Sequence, residues 1–380
     1  MKKLLLTSLL LAAATTIMAQ KTTGQKLKWW NPATSTNVVV DGQLWPKEVK
    51  NFYDRFPARA EKQVRPEVWA LSRNAAGLKL RFRTTSKTIE VRYTTVARTY
   101  SMDHFPNTGR SGVDLFAVNN DGTWAWANPR YTFTDTVTYK YAGLDLDQGN
   151  YKNGREYCLY LPIYNGLKWL EIGVNENETF TPLPPSTIKP IIAYGTSITQ
   201  GGVASRPGNA WLAMAERDLN IPIVNLGFSG NGRMEKEIID MINEKEASVY
   251  VFDCLGNMAS NTDSAKLDVT SRIVSAVTAI RGKHPATPIL LIEYAGFIKN
   301  RMNTAKGLTI NALNEANAKA YKELTAKGIK NLYVLSADKI NLGADGTVDG
   351  THPSDLGMYR YAKAFDTIIA EILKTNKPKR

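Results

Sequence analysis

Residues 191–202 read IIAYGTSITQGG, an apolar run of strand length that ends abruptly in Gly195, Thr196 and Ser197. A run with no polar alternation is what a strand buried on both faces of a parallel sheet requires. The hydroxyl residue at its carboxyl end has two readings. It can cap the helix that follows by accepting a free backbone N–H. It can also serve as a nucleophile at the rim where open α/β sheets gather their sites. The rest of the chain decides between them.

The same rhythm recurs downstream in IPIVNLG (221–227), ASVYVFDCLG (247–256), TPILLIEY (287–294) and KNLYVLSA (330–337). Helical patterns separate these runs: AWLAMAERDL, MEKEIIDMINE, SAKLDVTSRIVSAVTAIRGK and TINALNEANAKAYKELTAKG, with PSDLGMYRYAKAFDTIIAEILK closing the chain. Strand then helix, repeated, predicts a parallel sheet with helices on both faces over residues 188–376. Upstream, from about Leu27, the period is two. GLKLRFRT puts Leu78, Leu80 and Phe82 on one face, and IEVRYTT puts Ile89, Val91 and Tyr93 opposite Glu90 and Arg92. SGVDLFAV and EYCLYLPIY continue the alternation, with turns such as NNDG and DQGN between strands, predicting an antiparallel β-sandwich, jelly-roll-like, over 27–185. The proline-rich TPLPPSTIKP (181–190) reads as the strap between the halves. Trp124 and Trp126, in DGTWAWAN, read as core aromatics or a hairpin face ahead of a sugar-stacking platform.

The first twenty residues, MKKLLLTSLLLAAATTIMAQ, have the basic start, short apolar core and small-residue end of a secretory signal peptide, with cleavage expected after Ala19 (residues 1–19). No later run has the length of a membrane span, so the mature chain is expected to be exported, periplasmic or secreted, without membrane insertion. Formal charge is +13, or +11 once Lys2 and Lys3 are removed. The basic residues are scattered, with no recognition motif, which argues against nucleic acid and leaves acidic glycans or a plain solvated surface. Cys158 and Cys254 show no framework spacing and are expected to be buried, unpaired thiols.

Three histidines are present. His284, in RGKHPATP, reads as a surface turn; His104, in SMDHFPNTG, belongs to the β half and could reach across to its neighbour. His352, in VDGTHPSDLG, follows the last strand with Asp349 three positions before it, so one loop carries both groups. A serine hydroxyl needs a base to take its proton, and the base needs a carboxylate to fix its tautomer. Ser197 after the first strand and Asp349/His352 after the last meet that need on one rim of the sheet. Oxyanion donors are available from NLGFSGNGRM and DCLGNM, through the Gly230 N–H and the Asn257 side chain, and Gly232 is an alternative to Gly230. GFSGN falls one residue short of a nucleophile elbow centred on Ser229. No phosphate-cradling loop or zinc spacing is present, so neither metal nor organic cofactor is expected.

These residues resemble the SGNH (GDSL-type) hydrolases, whose four blocks occur here in order as GTSITQGG, GFSGNG, CLGNM and DGTHPS over residues 188 to about 375. SGVDLFAV also looks like the N-terminal β domain that accompanies one bacterial subgroup of these esterases. The resemblance implies Ser197 as nucleophile and, through its own N–H, as oxyanion donor beside Gly230 and Asn257. It implies His352 as base and Asp349 as its orienter. Thr196 stands where the family has Asp, and Met258 follows Asn257 where Asp is common. The implied activity is a serine esterase removing acyl groups, O-acetyl above all, from an acylated poly- or oligosaccharide. The alternatives are a lipase or acylhydrolase acting on longer esters and a non-catalytic glycan-binding protein. Oligomeric state is not legible.

Overall fold

The computed structural model describes residues 26–145, 151, 153–258, 269–296 and 304–376. The expected signal peptide and the DQGN turn lie outside these residues. Two antiparallel sheets form the N-terminal β unit. One runs β1 (Leu27–Trp30), β10 (Leu167–Asn175), β4 (Thr88–Thr95), β8 (Val137–Ala142), β7 (Arg130–Thr132). The other runs β11 (Phe180–Pro182), β3 (Lys79–Thr84), β9 (Arg155–Tyr160), β5 (Asp114–Val118), β6 (Trp124–Trp126), with β2 (Val40–Asp41) on β3. Their inner faces meet through the alternating residues read from sequence: Leu78, Leu80, Phe82, Ile89, Val91 and Tyr93 are all fully buried in one cluster. Each such side chain contributes about 1.5–3 kcal/mol of hydrophobic stabilisation. Two short helices, α1 (Pro66–Ser72) and α2 (Asn107–Arg110), belong to this unit.

The second half is a parallel five-stranded sheet, β12 (Ile191–Gly195), β13 (Ile223–Gly227), β14 (Val249–Asp253), β15 (Ile289–Ile292) and β16 (Leu332–Leu335), in the order β13-β12-β14-β15-β16. Its strands are buried on both faces, apart from two half-buried positions on the edge strand β16, which accounts for their unalternating sequence. α4 (Trp211–Leu219) and α9 (Asp355–Thr375) cover one face, while α5 (Lys236–Ile242), α6 (Val269–Lys283) and α7 (Thr304–Ala326) cover the other. α3 (Ser197–Gln200) follows β12, and α8 (Ala337–Ile340) follows β16. The fold is the three-layer α/β/α sandwich preceded by an antiparallel β-sandwich.

Alternation does not tell what covers the outer face of the β-sandwich: most of β5 and the last four residues of β9 are buried on both sides. Their outward residues Phe116, Cys158 and Tyr160 pack toward Ala213 of α4, and Arg217 lies 4.1 Å over the Phe116 ring. The halves also share a core: Trp45, Phe56, Ala60, Val68 and Trp69 join the cluster under α5 and α6. Arg55, fully buried, crosses the boundary through two Nη1 bonds, to Asn225 O (3.0 Å) and Gly227 O (2.9 Å), while its other nitrogens reach Leu71 O and Asn74 O. Lys79 of β3 pairs with Glu216 of α4 at 2.7 Å. Both cysteines are buried and unpaired.

Trp126 keeps 45% exposure on the β6 hairpin, where Nε1 donates to Asp114 Oδ1 (2.6 Å) and Arg206 covers its ring. That is a braced hairpin face.

Candidate active site

β12 delivers Gly195 to the carboxyl rim of the sheet, and the next turn is the nucleophile candidate's seat. The capping role falls to Thr196, which accepts the Ile198 N–H at 3.2 Å, and Ser197 is the first residue of α3. Gly195 has to be glycine, because a Cβ there would stand 2.0 Å from Thr199 Oγ1 and 2.6 Å from the Asp253 carbonyl oxygen.

Ser197 Oγ lies 2.9 Å from His352 Nε2. His352 Nδ1 lies 2.7 Å from Asp349 Oδ2, and the other carboxylate oxygen accepts the backbone N–H of Thr351 (2.8 Å) and His352 (2.7 Å). Asp349 therefore orients the ring and folds the loop that carries it. Burial pushes its carboxyl up, but the His352 ring and the two backbone donors outweigh burial, and its pKa falls below the ordinary carboxylate value. His104 is exposed on its β-unit loop, and His284 is half-buried with Nε2 3.0 Å from Asn243 O.

Hydrogen bonding in the 228–233 turn distinguishes the two glycines. Ser229 N donates to Gln200 Oε1 (3.0 Å), Asn231 N to Phe228 O (2.8 Å), Gly232 N to Asn257 Oδ1 (3.1 Å) and Arg233 N to Tyr194 Oη (3.1 Å). Gly230 is left, among the described residues, with a backbone N–H that no acceptor takes up; it is exposed, in a left-handed conformation (φ +70°). The bond from Gly232 also fixes the Asn257 amide with its oxygen engaged and its NH2 without an acceptor among the described residues. Met258, where the family has Asp, is buried in the core beneath α5 and α6 and lends Asn257 no polar partner. Ser229, centre of the near-elbow, has its N–H on Gln200 and its carbonyl on Asn231.

Sequence reasoning missed the residues that hold α3. All four of its carbonyls accept side-chain donors: Ser197 O from Tyr164 Oη (3.2 Å), Ile198 O from Trp211 Nε1 (3.0 Å), and Thr199 O and Gln200 O from Asn225 Nδ2 (2.9 and 3.4 Å). From below, Thr199 Oγ1 donates to Asp253 Oδ2 (2.6 Å), whose other oxygen accepts from Tyr361 (3.0 Å). Burial pushes the Asp253 carboxyl up to about 7, against the pull of these two hydroxyls. The one available signal was polarity in buried strands: Asn225 interrupts IPIVNLG and Asp253 ends VYVFD.

No group of His, Cys, Asp and Glu with metal-binding geometry occurs among the described residues. Also among them, no helix is long and apolar enough to cross a membrane.

Residues 188–370 match the GDSL-like lipase/acylhydrolase family, and residues 27–180 match the N-terminal domain of SGNH hydrolase-type esterases. Among solved structures, the chain is 32% identical to a protein described as a GDSL-like lipase from Bacteroides ovatus, with a TM-score of 0.81, covering 92% of this chain and 98% of that one. At 21% identity it shares its fold with the salicylyl-acyltransferase SsfX3 of a tetracycline biosynthetic pathway (TM-score 0.72, 91% and 97% covered). At 14% identity the likeness extends to a family two carbohydrate esterase from Clostridium thermocellum in complex with cellohexaose (TM-score 0.50, 78% and 92% covered). Among curated proteins, none matches the sequence.

Proposed function

The chain belongs to the GDSL-like lipase/acylhydrolase (SGNH) family of esterases, and from that premise we propose that it is an exported serine esterase that removes acyl groups, chiefly O-acetyl, from carbohydrate. The observation that carries the reading is the unbroken chain Ser197 Oγ, His352 Nε2 and Nδ1, Asp349 Oδ2, with separations of 2.9 and 2.7 Å.

In this mechanism Ser197 Oγ attacks the ester carbonyl carbon while its proton passes to His352 Nε2. The carbonyl π electrons move onto oxygen, and the oxyanion is held by the N–H of Ser197, the N–H of Gly230 and Asn257 Nδ2. Collapse breaks the bond to the sugar oxygen, which leaves with the proton from His352. Water, deprotonated by the same nitrogen, then attacks the acyl-enzyme and releases the acid, restoring Ser197. Asp349 stays ionised and holds the proton on Nδ1, so that Nε2 is an acceptor when the cycle starts. No step needs a metal or organic cofactor.

Support for the carbohydrate part is the likeness in fold to the oligosaccharide-bound esterase and an N-terminal sequence with the features of a signal peptide. The test is acetate release from acetylated polysaccharides and from p-nitrophenyl acetate, wild type beside Ser197→Ala. Release abolished in the variant supports the mechanism, and equal release from both overturns it. Hydrolysis confined to long acyl chains makes the protein a lipase.

A further inference from the structure

Beside the oxyanion turn, the two halves of the chain enclose a cleft of about 660 Å3, within the range that holds small-molecule ligands. The hydrolase half supplies Ser229, next to Gly230. The β unit supplies the opposite wall, which includes Arg73, Val96, Met102, Arg110 and Tyr164. Tyr164 ties the cleft to the catalytic serine, since its hydroxyl donates to Ser197 O (3.2 Å). Its backbone N–H donates to Arg110 O (3.0 Å), so the position of Arg110 is set by the same residue. Val96 and Met102 stand 49% and 50% exposed on this wall, an apolar surface against which a sugar ring or a short chain could lie.

Glu67 also lines the cleft, and of the arginines around it only Arg110 lacks a carboxylate partner among the described residues. Arg73 faces Asp54 at 3.4 Å, and Arg65, behind the turn, pairs with Glu235 and with Glu67. Arg110 has no carboxylate against it among the described residues. Its Nη1 donates to Ser101 O (2.6 Å), and its Nε is buried with no hydrogen-bond partner. Burial lowers its pKa, and no neighbouring anion offsets that. A half-buried guanidinium without a counterion carries a desolvation cost that nothing among the described residues offsets. A carboxylate reaching the guanidinium from the cleft side offsets that cost through a charge-assisted hydrogen bond.

We propose that this cleft receives the alcohol portion of the ester and that Arg110 binds a carboxylate carried on it, so that the preferred substrate is an acylated acidic sugar of the uronic acid class. The inference rests on the esterase reading above and deepens it. A single guanidinium without a carboxylate partner, in a cleft that also holds Glu67, suits a singly charged carboxylate better than a phosphate monoester.

The experiment compares kcat/KM for an O-acetylated methyl glucuronide and the matching O-acetylated methyl glucoside, using full-length wild type, Arg110→Gln and Arg110→Lys. Wild type should favour the uronide by on the order of tenfold to a hundredfold, the size of one charge-assisted hydrogen-bonded contact. In Arg110→Gln that ratio should fall toward one, and Arg110→Lys should keep part of it. An equal loss on both sugars would give Arg110 a merely structural role and overturn the proposal, as would a wild-type ratio near one. A preference for a succinyl ester of the neutral sugar would overturn it too, by moving the anion to the acyl side. Calorimetric titration of Ser197→Ala and of Ser197→Ala/Arg110→Gln with the same uronide and glucoside separates the two claims. Uronide-selective binding that requires Arg110, with no hydrolysis by wild type, would sink the esterase reading and leave the site standing.

Discussion

Replacing Asp349 with asparagine isolates the step on which the mechanism turns. The carboxylate now accepts the ring N–H of His352 at 2.7 Å through Oδ2, and two backbone N–H groups through Oδ1. In Asp349→Asn the amide oxygen can keep the backbone bonds, which leaves its NH2 facing His352 Nδ1. Two donors cannot share that contact, so the ring takes the other tautomer and carries its proton on Nε2, where Ser197 needs an acceptor. The charge is lost as well. An imidazolium and a carboxylate about 4 Å apart attract by roughly 4 kcal/mol at an effective dielectric of 20, and this attraction builds only as the proton leaves Ser197. Since 1.36 kcal/mol is a factor of ten, the expected fall in kcat is on the order of a thousandfold, more if the tautomer cost adds. The assay is steady-state hydrolysis of p-nitrophenyl acetate, with thermal unfolding in parallel. KM and the melting temperature should change little, because the loop keeps its backbone bonds. Asp349→Ala, which gives up those bonds, should lose activity and stability together. An asparagine variant retaining more than a tenth of wild-type kcat would refute the assignment, since the His352 tautomer would then be set elsewhere.

Asn257→Ala removes a proposed oxyanion donor and should lower kcat by about a hundredfold to a thousandfold; an unchanged kcat would place the oxyanion elsewhere. The glycines of the turn should separate. A Cβ at Gly232 would stand 2.1 Å from Gly195 O, so Gly232→Ala should fail to fold or melt far lower, whereas Gly230→Ala meets nothing within 4 Å. Gly230→Ala pays only the left-handed backbone cost, about 1–2 kcal/mol, and circular dichroism melts would expose any reversal of that order. Asp253, raised from 3.8 to about 7, binds its proton more tightly folded than unfolded. Its contribution is therefore complete below about pH 4 and lost as pH rises through 7, a span of roughly 4 kcal/mol. Wild-type melting temperature should fall between pH 5 and 8, and Asp253→Asn should flatten that slope; parallel slopes would show that Asp253 does not titrate there.

The strand ends were legible because chemistry and topology coincide in the sequence: each block sits where an apolar run stops, and a parallel sheet gathers those stops on one rim. The buried faces of β3 and β4 were legible for a similar reason, since Leu80 and Val91 alternate with charged neighbours. The sequence could not separate Gly230 from Gly232, because the difference is a hydrogen bond from Gly232 to a residue 25 positions away. Nor could it foresee Tyr164, Trp211 and Asn225 as the clamp on α3, since they come from separate parts of the chain and bond backbone that carries no sequence signature. The cover over the outer face of β5 and β9 was not legible for a physical reason. Alternation tells which residues face the sandwich core, but it is silent on what covers the other side.

Arg55 has a consequence for anyone who would treat the two halves as exchangeable parts. Two of its bonds end on Asn225 O and Gly227 O, in the strand that leads directly into the 228–233 turn. Cutting the chain in the strap would strip those carbonyls of their donor, uncover the aromatic residues that complete the core under α5, and take away Tyr164 and with it one of the groups on Ser197. A hydrolase half expressed alone would be an open wound beside its own catalytic centre. In this protein the β-sandwich behaves as half of the molecule's skeleton.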